Sequence, residues 1–253
     1  MSDLQIAVTS LEDFYRRIHW TAPTAITHIM PGYTLTYSGV TWLHSLNQLW
    51  LHRIDALTDE VLALTQDFFG QYGAEYSIVY NASEQPEITF WLTNRGYTER
   101  VTSPFFLLRG LPRPENPNRD VEIAPVTVEQ QQTLLETLYS TFFVGPEVGR
   151  CMVRPEHADD PTIHHYLAYL NGEVTGCATT LLANEVAGVW NVATLRQFRK
   201  LGIASALLMR ILVDSADAGC PDSVLAASPM GRALYEQMGY QQVGTTYFYG
   251  PLG

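Results

Sequence analysis

A polar, proline-rich segment near the middle of the chain constrains the fold more than any other feature. Residues 111–120 contain three prolines and two asparagines. Proline lacks the backbone N–H that a helix interior or a central strand requires, so neither element continues through this segment. We therefore predict two domains, residues 1–110 and residues 121–253, joined by a linker at residues 111–120. A chain of 253 residues is long enough for two compact domains.

The composition excludes several classes of protein and of site. The formal net charge of -11 argues against nucleic acid as a partner, because phosphate binding requires a basic face. It suits either a cationic substrate or simple solubility. The three cysteines are widely spaced, which argues against a disulfide framework and a zinc site, so we predict no metal. Without a signal-peptide pattern or a membrane-length apolar run, we expect a cytoplasmic protein that does not bind membranes.

After the linker, the apolar pattern switches repeatedly between strand and helix periodicity. Strands are predicted at residues 121–126, 165–170, 174–182, 185–194, 223–227 and 245–249. Helices are predicted at residues 128–143, 146–153 and 204–218. A last helix is predicted from Ser228 as the N-cap, with Pro229 as its first residue, to Gly239. Asn171 and Gly172 predict a tight hairpin turn. This order predicts a mixed α/β domain, with antiparallel strands first and a strand–helix–strand crossover later.

The first half of the chain contains fewer elements and a weak internal repeat. Its strands are predicted at residues 33–38, 48–53, 76–80 and 101–108, and its helices at residues 59–69 and 88–94. A strand and a short helix precede Gly96 and Tyr97, and the same order precedes Gly239 and Tyr240. The alternative is chance similarity, because glycine ends many helices.

A basic segment at residues 196–204 separates a predicted strand from a predicted helix. Lys200 is the only lysine in the chain, Arg196 and Arg199 flank it, and residues 186–213 contain no acid. A helix N-terminus presents unpaired backbone N–H groups and the positive end of the helix dipole. The segment therefore indicates an anion site. The alternative is a solvated basic loop in front of an ordinary helix.

Two segments of the second half together resemble the GNAT acetyltransferase superfamily. The first matches the acetyl-CoA signature Arg/Gln-x-x-Gly-x-Gly/Ala through Arg199, Gly202 and Ala204. The second resembles a helix that carries a tyrosine before a glycine–aromatic pair, and it consists of Ser228, Gly231, Tyr235, Gly239 and Tyr240. The resemblance covers the chain from about Val121 onward. It implies the acyl-CoA N-acyltransferase fold for this half and transfer of an acetyl group from acetyl-CoA to an amine.

The resemblance also implies a role for individual residues. The backbone of Val192, Ala193 and Thr194 would bind the pantetheine arm, and backbone N–H groups from Arg199 to Ser205 would bind the pyrophosphate. The implied cofactor-binding residues are Val192, Ala193, Thr194, Arg199, Lys200, Leu201, Gly202, Ile203, Ala204, Ser205 and Ser228. Tyr235 would protonate the departing thiolate. This chain departs from the usual pattern at Lys200 and Ala204, where glycine is common, and at Ser228, where many members have asparagine.

The general base and the acceptor stay open. Glu147, Glu185, His164 and His165 are candidate bases by residue type, and an ordered water is another. The acceptor is an unidentified amine, and the protein is a monomer or a homodimer. The alternative to an enzyme is a non-catalytic acyl-CoA-binding or regulatory module, which would not need Tyr235.

The repeat implies that residues 1–110 are a smaller, degenerate GNAT-like domain. The counterpart of the basic segment in this half is residues 54–60, which contain three acids and no glycine. Leu92 occupies the place that corresponds to Tyr235. We therefore predict that this half binds no acetyl-CoA.

Overall fold

The computed structural model describes residues 1–83, 87–110, 118–142 and 144–252. Within these ranges the helices are α1 (Asp3–Phe14), α2 (Asp59–Gly70), α3 (Ile88–Thr93), α4 (Gln131–Phe142), α5 (Pro146–Met152), α6 (Ile203–Asp217) and α7 (Arg232–Gln237). The strands are β1 (Ile26–Met30), β2 (Tyr33–Tyr37), β3 (Gln48–Leu51), β4 (Ser77–Ala82), β5 (Tyr97–Leu108), β6 (Val121–Pro125), β7 (Ile163–Leu170), β8 (Glu173–Ala183), β9 (Val186–Thr194), β10 (Asp222–Ala226) and β11 (Gln241–Pro251). The predicted α/β class is confirmed.

Two compact units divide the chain. Unit 1 comprises Met1–Phe14 and Phe106–Gln242, and unit 2 comprises Tyr15–Phe105 and Val243–Gly253. Residues 111–117 of the predicted linker 111–120 lie outside the described residues.

These units differ from the predicted domains 1–110 and 121–253, because the first helix belongs to unit 1 and the last strand belongs largely to unit 2. Helix α1 belongs to unit 1, where the ring of Phe14 stacks on Trp190 at a centroid distance of 4.4 Å. Strand β11 belongs largely to unit 2, where it pairs antiparallel with β4. Local periodicity predicts that a strand or helix exists, but it does not identify a partner that is distant in sequence.

Unit 2 contains a mixed sheet and an aromatic core. Strands β1, β2 and β3 pair antiparallel, β3 and β4 pair parallel, and α2 connects these last two strands. The rings of Phe69 and Tyr76 stack at a centroid distance of 4.6 Å. The hydroxyl groups of Tyr76 and Tyr97 form a buried hydrogen bond of 2.5 Å. Aromatic side chains of the first half therefore form much of the core of this unit, and the hydroxyl groups of Tyr76 and Tyr97 are paired inside it.

The strands of unit 1 also combine antiparallel and parallel pairing, and an apolar cluster lies on each of their faces. Strands β6 to β9 pair antiparallel in sequence order, and α6 connects β9 to the parallel strand β10. On the face covered by α6, here called the α6 face, the cluster includes Ala178, Val189, Leu207, Leu208 and Ile211. On the opposite face, here called the α4 face, the cluster includes Leu134, Leu138, Leu167, Cys177 and Ala193. Helices on both faces bury both sides of this sheet, which is the α/β arrangement.

Two predicted turns have different outcomes. Asn171 and Gly172 form the predicted hairpin turn, with φ values of 53° and 77°. The last predicted helix begins later than expected, because α7 starts only at Arg232. The Ser228 hydroxyl nevertheless accepts a hydrogen bond of 3.2 Å from the Gly231 N–H, as an N-cap side chain does, and its carbonyl accepts from the N–H groups of Gly231 and Arg232 at 3.0 and 3.1 Å. Ser228 therefore opens a turn that precedes the helix.

Candidate functional site

A cleft of about 680 Å³ lies in unit 1, where the end of β9 meets the beginnings of α6 and α7. It is lined by Tyr235 and by every predicted cofactor-binding residue except Leu201. The Leu201 side chain is 44% exposed, and its carbonyl accepts a hydrogen bond of 3.0 Å from Asn118 Nδ2. The structure therefore gives Leu201 a role in holding the loop, and its side chain is not part of the site.

One wall of the cleft is an open strand edge. The parallel pairing of β9 with β10 ends at Val189 and Leu225, whereas β9 continues to Thr194. On its other side, β9 stays paired with β8 as far as Thr194, which lies opposite Gly176. Residues 190–194 therefore have backbone groups on one side that do not pair with β10, and such groups pair readily with an extended ligand.

A β-bulge interrupts β9 where this open edge begins. Thr179 of β8 lies opposite Trp190 and Cys177 lies opposite Ala193, so both Asn191 and Val192 face the single residue between the two β8 positions. Asn191 has a φ of 55°, a left-handed conformation that asparagine tolerates better than most residues. The extra residue shifts the side-chain alternation by one. As a result, Val192 packs against the α6 face and Ala193 lies on the α4 face.

A second wall is the N-terminus of α6, which no side chain caps. Gly202 is the N-cap residue with a φ of 77°, and a Cβ at this position would lie 3.1 Å from Cβ of Asn118. The N–H groups of residues 203–205 have no acceptor within the helix. The Ser205 hydroxyl is buried and has no hydrogen-bond partner among the described residues. These unsatisfied donors make the helix start a site for an anion.

Arg199 contributes its side chain and not its backbone N–H. Contrary to the predicted cradle, the Arg199 N–H donates to the carbonyl of Arg196 at 3.4 Å. Its Nε donates to the carbonyl of Thr194, also at 3.4 Å, which ties the loop to the end of β9. The two terminal guanidinium nitrogens have no partner within the described part of the chain, so they are available to a bound anion.

Tyr235 closes the cleft from α7. It is 7% exposed, and burial raises the pKa of its phenol to about 12. A Cβ at Gly231 would lie 2.8 Å from Cε2 and 3.1 Å from the hydroxyl of Tyr235, so this glycine provides the space for the ring. At neutral pH the phenol is therefore protonated and is able to donate.

None of the four candidate bases is among the described residues that line the cleft. Glu185 directly precedes β9, at the end of the strand opposite to the cleft. Burial, followed by the nearby His157 and His164, lowers the pKa of His165 to about 3, which makes its imidazole a weak base. The structure therefore does not select a base from the predicted candidates.

Apart from Gly231 of the tyrosine motif, five further residues line the cleft that the sequence did not indicate as site residues. They are Thr141, Phe142, Met230, Leu234 and Gln237. Leu234 and Gln237 share α7 with Tyr235, so the tyrosine motif was a signal for them. Thr141 and Phe142 end α4, and no local pattern indicated that this helix end lies beside β9.

The described residues contain neither a metal-binding cluster nor a membrane-spanning helix. No group of three or more His, Cys, Asp or Glu side chains is arranged to hold a metal ion there. In the same ranges, no helix combines the length and the apolar character needed to cross a bilayer.

The chain is similar to known proteins in sequence and in fold. Residues 132–240, less than half of the chain, match the model of the acetyltransferase (GNAT) family. The fold resembles a GCN5-related N-acetyltransferase from Kribbella flavida, with a TM-score of 0.75 at 16% identity, covering 100% of this chain and 97% of that one. A GCN5-related N-acetyltransferase from Sphaerobacter thermophilus has a TM-score of 0.66 at 14% identity, covering 95% and 85%. A search of curated proteins finds no significant match.

The comparisons support the GNAT resemblance of the second half and show that the fold of these structures extends along the whole chain. The degenerate copy in the first half stays a prediction.

Proposed function

We propose that unit 1, which contains the segment matched by the GNAT family model, is an N-acetyltransferase that uses acetyl-CoA as cosubstrate and an amine as acceptor. One observation carries the proposal. An open strand edge, an uncapped helix N-terminus and a buried, protonated tyrosine line the same cleft. These are the three kinds of group that bind an extended amide-containing arm, a pyrophosphate and a leaving thiolate.

The start of α6 fits a pyrophosphate. Three helix N–H groups, the orphaned Ser205 hydroxyl and the Arg199 guanidinium all lie at the cleft and have unused donors. Lys200 adds a second cation and has a φ of 66°, so the loop turns sharply there. No acidic side chain is among the described residues that line the cleft, so nothing there repels an anion.

The open edge of β9 fits the pantetheine arm. The amide groups of the pantetheine arm can hydrogen-bond to the backbone of residues 192–194, which does not pair with β10, in the way that an added strand does. Ala193 and Gly202 are small, which allows a ligand to approach the backbone closely.

Tyr235 fits the role of general acid. Acetyl-CoA supplies a thioester whose sulfur leaves as a thiolate when an amine attacks the carbonyl carbon. Tyr235 holds a proton on its phenol oxygen, and burial keeps it there at neutral pH because the pKa is about 12. Burial also raises the pKa of a thiol above its usual value of about 8.5. Burial of the leaving thiol in the cleft would therefore bring its pKa closer to that of the Tyr235 phenol.

Unit 2 supports the proposal of a degenerate copy through the order of its elements. Helix α2 connects the parallel strands β3 and β4, as α6 connects β9 and β10. A short helix and a glycine with positive φ follow in both units, Gly96 at 78° and Gly239 at 100°. Each glycine precedes a tyrosine and a long strand.

At the corresponding positions, the described residues of unit 2 nevertheless differ from the proposed binding groups of unit 1. Thr58 caps α2 by accepting a hydrogen bond of 3.3 Å from the Val61 N–H. Asp59 and Glu60 occupy the first turn of the helix, and Asp59 is paired with Arg95 at 2.7 Å. Leu92, at the place of Tyr235, is fully buried. The helix N-terminus thus has one N–H already capped and carries two acidic side chains, which disfavours a pyrophosphate.

Calorimetric titration with acetyl-CoA is therefore expected to give one binding site per chain. The physical reason is the contrast between the capped, acidic start of α2 and the uncapped, basic start of α6. A fitted stoichiometry of two per chain would contradict the proposal for unit 2.

Activity is tested by the release of free CoA thiol from acetyl-CoA in the presence of a panel of primary amines, amino acids and peptides. Thiol release that depends on the amine supports an acetyltransferase. Binding of acetyl-CoA without thiol release from any amine would favour a non-catalytic acyl-CoA-binding module.

A further inference from the structure

A chain of buried polar side chains connects a loop after α5 to the β-bulge at the open edge of β9. Nδ1 of His157 lies 3.2 Å from Nε2 of His165, and Nδ1 of His165 lies 2.8 Å from Oγ1 of Thr179. Nδ2 of Asn191 donates to the same Thr179 oxygen at 3.5 Å. At the other end, the Arg154 N–H donates to His157 Nδ1 at 3.4 Å.

The hydrogen-bond partners assign a direction to this chain. A backbone N–H only donates, so Nδ1 of His157 is an acceptor. His165 then carries its proton on Nε2 and donates it to His157, and its Nδ1 accepts from the Thr179 hydroxyl. The Thr179 oxygen is left to accept from Asn191. His165 and Thr179 each donate once and accept once in this network, whereas Nδ1 of His157 accepts from both the Arg154 N–H and His165.

The network ends at Asn191, a residue with a left-handed backbone conformation. Asn191 holds a φ of 55°, and its bulge determines that Val192 and Ala193 face the α6 and α4 sides of the sheet, respectively. Without the bulge, strand alternation would exchange these two faces. The side chains of His165 and Thr179 are buried beside the bulge and are not among the described residues that line the cleft.

We propose that His165 and Thr179 are positioning residues that hold the bulge at Asn191 and thereby align the backbone of residues 192–194 for acyl-CoA. This inference rests on the proposed function, because it names the residues that shape the pantetheine-binding edge. Neither residue contacts the acyl-CoA. Both act through Asn191.

The test compares Thr179→Val with two variants in the same strand. Thr179→Val keeps the shape of the side chain but removes the hydroxyl that links His165 to Asn191, whereas Thr179→Ser keeps the hydroxyl. Thr180→Val is the matched control, because Thr180 is also fully buried and its hydroxyl donates to the Gly188 carbonyl at 3.0 Å, before the bulge. Calorimetry with acetyl-CoA and thermal unfolding are measured for each protein.

We expect Thr179→Val to raise the Kd for acetyl-CoA about tenfold, because small misplacements of a positioning group are costly. Thr179→Ser should restore the wild-type Kd. Thr180→Val should lower the melting temperature but leave the Kd unchanged. Asn191→Gly, which tolerates positive φ but lacks the amide, should also weaken binding, and it decides the question if Thr179→Val does not fold.

Failure of the proposed function and failure of this inference alone give different results. A wild-type protein that does not bind acetyl-CoA overturns the proposed function. A wild-type protein that binds it, combined with a Kd within about twofold in Thr179→Val or Asn191→Gly, overturns the inference alone. Amide spectra of the ligand-free protein give a readout without any ligand. The largest differences between wild type and Thr179→Val are expected at residues 190–194, and an unchanged bulge would also overturn the inference.

The imidazole of His165 is expected not to titrate between about pH 5 and pH 8. Burial, with smaller contributions from His157 and His164, lowers its pKa from 6.5 to about 3. Since the unfolded chain binds this proton near pH 6.5, stability should fall as the pH drops from 6.5 towards 3. Nitrogen-15 spectra of the ring measure its titration and its tautomer, and they should show the proton on Nε2. A proton on Nδ1, or a midpoint near pH 6.5, would be inconsistent with the assigned network.

Discussion

Arg199→Glu is expected to abolish the rise in melting temperature that acetyl-CoA produces in the wild-type protein. At about a hundredfold excess over its Kd, a ligand stabilises the folded state by about 2.7 kcal/mol, which corresponds to several degrees. The guanidinium of Arg199 lines the cleft and has free terminal nitrogens within the described part of the chain. A carboxylate at this position would repel the pyrophosphate at the start of α6. Differential scanning fluorimetry with and without acetyl-CoA measures the effect.

Arg196→Glu is the matched control for this charge reversal. Arg196 lies three residues before Arg199, is exposed and is not among the described residues that line the cleft. The same change of charge at this position should reduce the shift only slightly, through long-range repulsion. Equal loss of the shift in both variants would mean that the general charge of the loop, and not a defined contact, attracts the ligand. An undiminished shift in Arg199→Glu would place the acyl-CoA elsewhere.

Tyr235→Phe is expected to lower kcat by about a hundredfold or more, which is the usual contribution of a positioned general acid. The Kd for acetyl-CoA should stay close to that of the wild type, because the ring remains and only the hydroxyl is lost. The rate is measured as release of free CoA thiol with the amine that gives the highest activity in the panel. Calorimetry gives the Kd.

Tyr240→Phe separates the loss of a proton donor from the loss of a buried hydroxyl. Tyr240 is also buried, lies 6.0 Å from Tyr235 between ring centroids, and bonds to Ser223 at 2.8 Å. Its replacement should destabilise the protein by about 1 kcal/mol while kcat changes little. If Tyr235→Phe keeps the wild-type kcat, Tyr235 is not the general acid and a water molecule has to supply the proton.

Features that depend on neighbouring residues were predictable from the sequence. The basic segment, the glycine with positive φ at its end and the apolar helix after it are adjacent in the chain. A pattern of this kind predicts a strand–loop–helix unit from neighbouring residues alone, and a helix start without a cap favours an anion. For the same reason, the hairpin at Asn171 and Gly172 was predictable.

Features that depend on partners distant in sequence were not predictable. Helix α1 and strand β1 were not recognised, although α1 has an apolar face that includes Leu11 and Phe14. The predicted cradle consisted of the backbone N–H groups from Arg199 to Ser205, but the Arg199 N–H already donates to the Arg196 carbonyl. The contact between the end of α4 and the cleft, like the His165–Thr179 link, results from tertiary packing that no local pattern encodes.

The separation in sequence between β4 and β11 has a consequence for biosynthesis. Unit 2 is complete only when residues 243–253 join residues 15–105, because β11 pairs with one edge of β4. During translation, β4 therefore leaves the ribosome long before its partner strand exists. Contacts between such distant residues form slowly, and an unpaired strand edge invites association with other chains in the meantime. The nascent protein is thus most vulnerable to aggregation while unit 1 is being made, and folding finishes only after β11 is released.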